Sequence, residues 1–203
     1  EAHANDVVHR DLKPENLMVL ALADGRVESK LLDFGIAHAI QQQSESLTET
    51  GAVWGTPHYL APEQVEGGEV GPYSDIYSVG IILFEMLAGR VPVDGNSSME
   101  IMYKHVHGEV PELRRILDES EVCDELAHQV DRMISADPAE RPANVLEVRN
   151  RLIQIASEQG YDTPHVEPSA EFGEMFRPFV LPPPSLSTFE RVETNPRNER
   201  NGT

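Results

Sequence analysis

Three residues whose types could do chemistry together fall within six positions of the sequence. Asp11, Lys13 and Asn16 sit in the run His9-Arg10-Asp11-Leu12-Lys13-Pro14-Glu15-Asn16. A further carboxylate, Asp33, follows 17 residues after Asn16. Two carboxylates and an amide oxygen are hard oxygen donors of the kind that hold magnesium together with substrate phosphates. Lys13 adds a compact positive charge suited to a phosphate in motion. Taken singly, Asp11 reads equally well as a loop-capping aspartate, and Asp33 as a turn residue before glycine. Their joint occurrence beside Lys13 and Asn16 favours chemistry.

The polar run needs apolar elements to hold it. Val7-Val8 precedes it and Leu17-Met18-Val19-Leu20 follows, so it reads as a short loop pinned between buried segments. Leu17–Leu20 and Val27–Leu32 read as a β-hairpin around Ala23-Asp24-Gly25-Arg26, because Asp-Gly is a strong turn signal. Ser74–Ala88 is the clearest helix: Ser74 is placed to cap its start, Gly89 to stop it, and Pro92 follows. Its apolar residues, from Ile76 to Leu87, cover nearly the whole circumference, which predicts a helix through the interior. Residues 97–117 and 122–135 read as further helices. Residues 136–142 read as a turn into a last helix over 143–155.

The motifs His9-Arg10-Asp11-Leu12-x-x-x-Asn16, Asp33-Phe34-Gly35 and Ala61-Pro62-Glu63 occur in that order. Any one is weak; the ordered set resembles the Hanks-type (eukaryotic-like) serine/threonine protein kinases, bacterial branch. The resemblance implies an α+β, mostly α fold, the large C-terminal kinase lobe with a short hairpin beside the catalytic loop. It covers residues 1–156, with 157–203 as a Pro-rich tail. It implies a kinase passing the γ-phosphate of ATP to Ser and Thr hydroxyls of protein substrates, with ATP and Mg2+ as cofactors. In such a kinase Asp11 receives the substrate proton and Lys13 steadies the moving phosphate. Asn16 and Asp33 hold magnesium, and Met18 lies under the adenine. Thr56 bridges Asp11 and Lys13. Thr48 or Thr50 is phosphorylated and pairs with Arg10; the alternative is a flexible Ser/Thr-rich loop with no switch. His9, Phe34, Gly35 and Asp75 are structural, Asp75 accepting backbone N–H groups near His9 and Arg10, while Glu63 and Arg141 form a buried ion pair.

One part of the family pattern is not found. The small lobe carries a Gly-rich loop and a strand lysine, and the sequence has only three lysines, Lys13, Lys30 and Lys104, none upstream of Asp11. The 203 residues are therefore expected to lack the N-terminal lobe and to be inactive or nearly so by themselves. A non-catalytic, pseudokinase-like interaction module is the alternative, opposed by the intact set Asp11, Lys13, Asn16, Asp33 and Thr56.

Composition narrows the classes further. The chain has 203 residues, 39% hydrophobic and 25% charged, with a formal net charge of −19. That acidity argues against nucleic-acid binding, which needs a basic face. From Gly160 onward there are seven acidic and four basic residues, so most of the charge belongs to the part before it. Seven of the 15 prolines fall from Gly160 onward, with no sustained apolar period, the signature of a disordered linker. The single cysteine, Cys123, allows no internal disulfide and suits a reducing compartment. The eight histidines show no metal-ligand spacing, and no apolar run reaches the ~18 residues of a membrane span. A cytoplasmic location is expected, whether or not the parent protein is membrane-anchored.

Overall fold

A computed structural model describes residues 2–21, 27–32, 57–118 and 121–161, all within a unit spanning Glu1–Pro164. It is mostly helical with one two-stranded antiparallel sheet. A short 3-10 turn at His3–Asn5 leads into the polar run, and a second turn, Pro14–Asn16, leaves it. Strands β1 (Leu17–Ala21) and β2 (Val27–Leu31) pair with Leu17 opposite Leu31 and Met18 opposite Lys30. The helices are α1 (Pro62–Glu66), α2 (Pro72–Ala88), α3 (Ser98–Val106), α4 (Asp124–Met133) and α5 (Val145–Glu158).

Helix α2 is the axis of the core. Ser74, Asp75, Ile76, Tyr77, Ser78, Gly80, Ile81, Ile82 and Phe84 are all buried, as the apolar circumference of the sequence requires. Tyr77, Ile81, Ile82 and Phe84 pack with Leu12, Ala61, Leu113, Val122 and Val130, so the polar loop sends Leu12 into the same core that α2 and α4 share. A smaller cluster of Ile76, Met133 and Val148 joins α2, α4 and α5.

The helix begins earlier than the sequence suggests, and Ser74 is not its N-cap. Gly71 holds that position, with Pro72 in the first turn, where its missing N–H costs nothing. Ser74 lies three residues on, and its hydroxyl accepts from Gly71 N at 3.3 Å. At the other end Gly89 takes a left-handed φ of 68° and its N–H closes on Glu85 O at 2.8 Å.

Close approach explains Gly80. A Cβ there would lie 2.7 Å from Ile134 Cγ2 and 2.8 Å from Met133 Cβ. Gly80→Ala is therefore expected to destabilise the fold by about 1–3 kcal/mol through overpacking, although alanine is the better helix former by about 1 kcal/mol. A lower urea midpoint at unchanged m-value is the check; a raised midpoint would show that α4 yields freely.

The single helix expected over residues 97–117 is broken. α3 ends at Val106 because Gly108 takes a left-handed φ of 66°; Pro111 follows, and the chain resumes as a 3-10 turn, Leu113–Arg115. The last helix starts after Asn144, whose side chain accepts from Glu147 N. It runs to Glu158, past the boundary at residue 156, stopping before Gly160 with its φ of 77°. The tail expected beyond that point lies outside the described residues. Among the described residues no helix is long and apolar enough to cross a membrane.

A buried polar contact ties α3 to α2. His105 is fully buried, and the Tyr77 hydroxyl donates to its Nδ1 at 2.6 Å. His107, two residues on, stacks instead on Tyr103 at the surface. Burial lowers the His105 pKa from the ordinary 6.5 to about 4, assisted by the charge of His58 and opposed by the His58 backbone. The unfolded chain therefore binds a proton between those values that the folded chain refuses. Stability is complete above pH 6.5 and falls as the pH drops toward 4, by roughly 3 kcal/mol in all. Urea titrations at pH 7 and 4.5 should show that loss in the wild type and a smaller one in His105→Gln.

Candidate functional site

The polar loop is held from below by one carboxylate. Asp75, buried near the start of α2, accepts from His9 N and Arg10 N, each at 2.9 Å, and from His3 Nε2 at 2.7 Å. A buried carboxylate needs such donors, and the loop needs such acceptors, since neither can turn to water. Arg10 takes a left-handed φ of 68°, a conformation that costs a non-glycine residue about 1–2 kcal/mol. Its peptide is gripped on both sides. Asp75 takes the N–H, and Gln64 Nε2 donates to the C=O at 2.8 Å.

That twist presents Asp11 next to Lys13 and Asn16. Lys13 Nζ donates to Asp11 Oδ2 at 2.8 Å. Asn16 Nδ2 donates to Asp11 O at 2.7 Å and to Asp11 Oδ2 at 3.1 Å. With the Asn16 amide nitrogen committed to Asp11, its carbonyl oxygen remains as an oxygen ligand, which fits a magnesium site. Among the described residues no three His, Cys, Asp or Glu side chains cluster to hold a metal. A site built here from one amide oxygen, one further carboxylate and substrate phosphate has no need of such a cluster.

His9 extends the grip toward the second motif. Its ring is buried; Nδ1 accepts from Asp11 N at 3.3 Å, so Nε2 carries the hydrogen and donates to Leu32 O at 3.1 Å. Leu32 N in turn donates to Asn16 O at 2.8 Å. The residue just before Asp33 is thus bonded through both peptide groups to the loop that carries Asp11. Asp33, Phe34, Gly35, Thr48, Thr50 and Thr56 themselves lie outside the described residues. Met18 stands on β1 with 43% of its surface exposed, beside the loop it follows.

The segment 57–66 closes the other flank. Tyr59 donates its hydroxyl to Glu85 Oε2 at 2.7 Å, and burial followed by the Glu85 contact pushes the phenol above its usual range. Ser78 Oγ donates to Tyr59 O at 2.7 Å. Glu63 meets Arg141 in a two-pronged pair, Nη1 to Oε1 at 2.8 Å and Nη2 to Oε2 at 3.0 Å. The same guanidinium donates to Ser135 O, Tyr73 O and Ala136 O and lies 4.8 Å from the centre of the Tyr77 ring. All five of its N–H donors are used. Burial pushes the Glu63 carboxyl up, but the hydrogen bonds from Arg141 and Ser74 outweigh it and hold the acid below its ordinary value.

Two members of this arrangement escape the sequence reading. His3 and Gln64 are lone polar residues whose partners lie 72 and 54 positions away, with no motif to announce them.

Residues 2–152 match the protein kinase domain family. The chain is 38% identical over 171 residues to the serine/threonine-protein kinase PknB of Mycolicibacterium smegmatis, covering 84% of this chain and 26% of that protein. It is 46% identical over 114 residues to the serine/threonine-protein kinase PrkC of Bacillus subtilis, covering 56% of this chain and 17% of that protein. It is 38% identical over 161 residues to the serine/threonine-protein kinase PknL of Mycobacterium tuberculosis, covering 77% of this chain and 37% of that protein. The chain thus spans well under half the length of these curated relatives.

Proposed function

Because the chain belongs to the protein kinase domain family, we propose that it is the catalytic C-terminal lobe of a serine/threonine kinase that passes the γ-phosphate of ATP to protein hydroxyls. The observation that carries this reading is the Asp11 carboxylate, held by Lys13 Nζ at 2.8 Å and Asn16 Nδ2 at 3.1 Å on a loop anchored to α2. In this reading the lobe, expected over residues 1–156, extends to the end of α5 at Glu158, and a linker follows.

Asp11 orients the attacking hydroxyl and accepts its proton. Lys13 moves from a partner of Asp11 to a partner of both Asp11 and the transferring phosphate. Asn16 Oδ1 and Asp33 would hold the magnesium, and Met18 would form the floor under the adenine. ATP supplies the phosphoryl group, and bound Mg2+ would neutralise charge on its phosphates. Thr56 joins Asp11 to Lys13, and phosphorylation of Thr48 or Thr50 gives Arg10 a partner. Such catalysis consists largely of positioning and electrostatics. That is why so much of this chain's buried polar bonding converges on residues 9–16. The Gly-rich loop and strand lysine that cover and clamp the nucleotide in this family are not found among the 203 residues, which by themselves transfer phosphate at background rate. The cytoplasm, which holds Mg-ATP, is the compartment the reading requires.

Transfer of labelled γ-phosphate from Mg-ATP to a basic protein tests this. The 203-residue chain and the full natural protein are each run beside their Asp11→Asn variants. Asp11-dependent transfer is expected in the full natural protein and not in the 203-residue chain. Equal background counts in every sample would favour a non-catalytic binding module instead.

A further inference from the structure

The side chain of Gln64 does two things at once, and they can be separated. Its Oε1 accepts from Ala61 N at 3.1 Å, satisfying a free donor at the start of α1. Its Nε2 crosses to the polar loop and donates to Arg10 O at 2.8 Å. The first contact is local and belongs to helix capping. The second is long-range and lands on the peptide that joins Arg10 to Asp11.

That peptide is an exposed weakness of the site. Arg10 sits at a φ of 68°, and a non-glycine residue stays there only when its surroundings hold it. On the N-terminal side of Arg10, Asp75 holds two successive peptides through the N–H groups of His9 and Arg10. On the C-terminal side, Asp11 N reaches His9 Nδ1 at 3.3 Å, and the shorter contact, 2.8 Å to the Arg10 carbonyl, comes from Gln64 Nε2. Rotation of the Arg10–Asp11 peptide would carry the Asp11 side chain with it, away from Lys13 and Asn16.

Gln64 is itself well anchored. It follows Glu63, whose carboxylate is locked to Arg141 and also accepts from Ser74 Oγ at 2.6 Å. A rigid support therefore runs from Arg141 through Glu63 and Gln64 to the carbonyl before Asp11. We propose that Gln64 is a positioning residue for phosphoryl transfer: its amide N–H fixes the left-handed turn at Arg10 and so sets the direction of the Asp11 carboxylate. The inference rests on the kinase reading of Asp11 given above.

Three substitutions in the full natural protein separate the donor from the acceptor. Gln64→Glu keeps an oxygen for Ala61 N but loses the donor to Arg10. Gln64→Lys keeps a donor but loses the acceptor. Gln64→Met has neither. Turnover should follow the donor: kcat falls about tenfold in Gln64→Glu and Gln64→Met, at unchanged KM for ATP, and stays within about threefold of wild type in Gln64→Lys. Thermal stability should follow the acceptor, falling in Gln64→Met and Gln64→Lys and least in Gln64→Glu. Turnover that tracks Tm across the three variants, or an unchanged kcat in Gln64→Met, would overturn the proposal.

Amide hydrogen exchange at Arg10 and Asp11 reads the same claim without catalysis. Exchange at least about tenfold faster in Gln64→Met and Gln64→Glu than in wild type or Gln64→Lys supports it, and exchange that does not change refutes it. If the wild type shows no Asp11-dependent transfer, the kinase reading fails, and these exchange rates still decide whether Gln64 fixes the turn.

Discussion

Asp11→Asn in the full natural protein is expected to lower kcat for phosphate transfer by about 10²–10⁴-fold, the usual contribution of a positioned general base, with KM for ATP and Tm little changed. The geometry explains why an isosteric change should be so costly. Asp11 Oδ2 receives two donors, Lys13 Nζ and Asn16 Nδ2, so in the proposed reaction the incoming hydroxyl falls to its other oxygen. An asparagine has a single acceptor oxygen. Turned toward Lys13 and Asn16, it offers an NH2 group to the substrate, which cannot take a proton. Turned the other way, it sets its NH2 against two donors. Stability should survive, because the bonds that build the loop go to other groups: His9 N and Arg10 N to Asp75, and Asn16 Nδ2 to Asp11 O. Radiolabel transfer and a melting curve on the same preparation suffice. A variant that loses activity and Tm together would mark Asp11 as structural, and one that keeps full activity would remove it from the chemistry.

How much of this was legible in the sequence depended on the distance over which each contact acts. Asp11, Lys13 and Asn16 are neighbours in sequence, so their types and spacing already describe their cluster. The burial of α2 was legible for a similar reason: a helix apolar on every side has no face to give to water. Asp75 and Arg141 carry no local pattern and Glu63 only the short run Ala61-Pro62-Glu63; the resemblance alone pointed to their partners, 78 positions apart in the case of the ion pair. His3 had neither pattern nor resemblance to announce it, and although Gly55–Gln64 resembles a segment of the bacterial kinases, nothing in that resemblance pointed from Gln64 to Arg10, 54 positions away. Local signals also misled where two competed. Ser74 looked like a cap because serine favours that position, but Gly71 and Pro72 start the helix earlier and leave Ser74 to serve Gly71 and Glu63 together. Apolar residues recur on both sides of Gly108, which hid the break that its left-handed backbone makes.

The second large effect concerns the fold. Arg141→Met is expected to destabilise the domain by about 3–5 kcal/mol, the cost of leaving one half of a buried ion pair uncompensated. For a domain of this size that lowers Tm by roughly 6–20 °C. Arg141 is 3% exposed and satisfies five acceptors, of which three are backbone carbonyls in the segments around Tyr73 and Ser135. Methionine fills the space and can keep the contact with the Tyr77 ring, but it takes the guanidinium donors from those carbonyls and leaves the Glu63 carboxylate with the Ser74 hydroxyl in place of a cation. The remaining carboxylate gives the test a pH signature. In the wild type Glu63 is held below the ordinary carboxylate range, so its contribution is present above that range and is lost as the pH falls through its folded value. In Arg141→Met the buried, unpaired Glu63 is expected to titrate above the ordinary range instead. The variant's deficit should therefore be largest near pH 7 and shrink as the pH falls toward 5, where Glu63 can take up a proton. The double variant Glu63→Gln, Arg141→Met should recover part of the loss at pH 7, because the stranded charge has gone. Recovery there, with none in the kinase assay, would separate the two duties of this region. The pair holds α1 against the rest of the domain, while Gln64 carries that support to Asp11. A deficit independent of pH and unrelieved by the second substitution would mean that the cost lies in the three carbonyls, and that Glu63 contributes little of it.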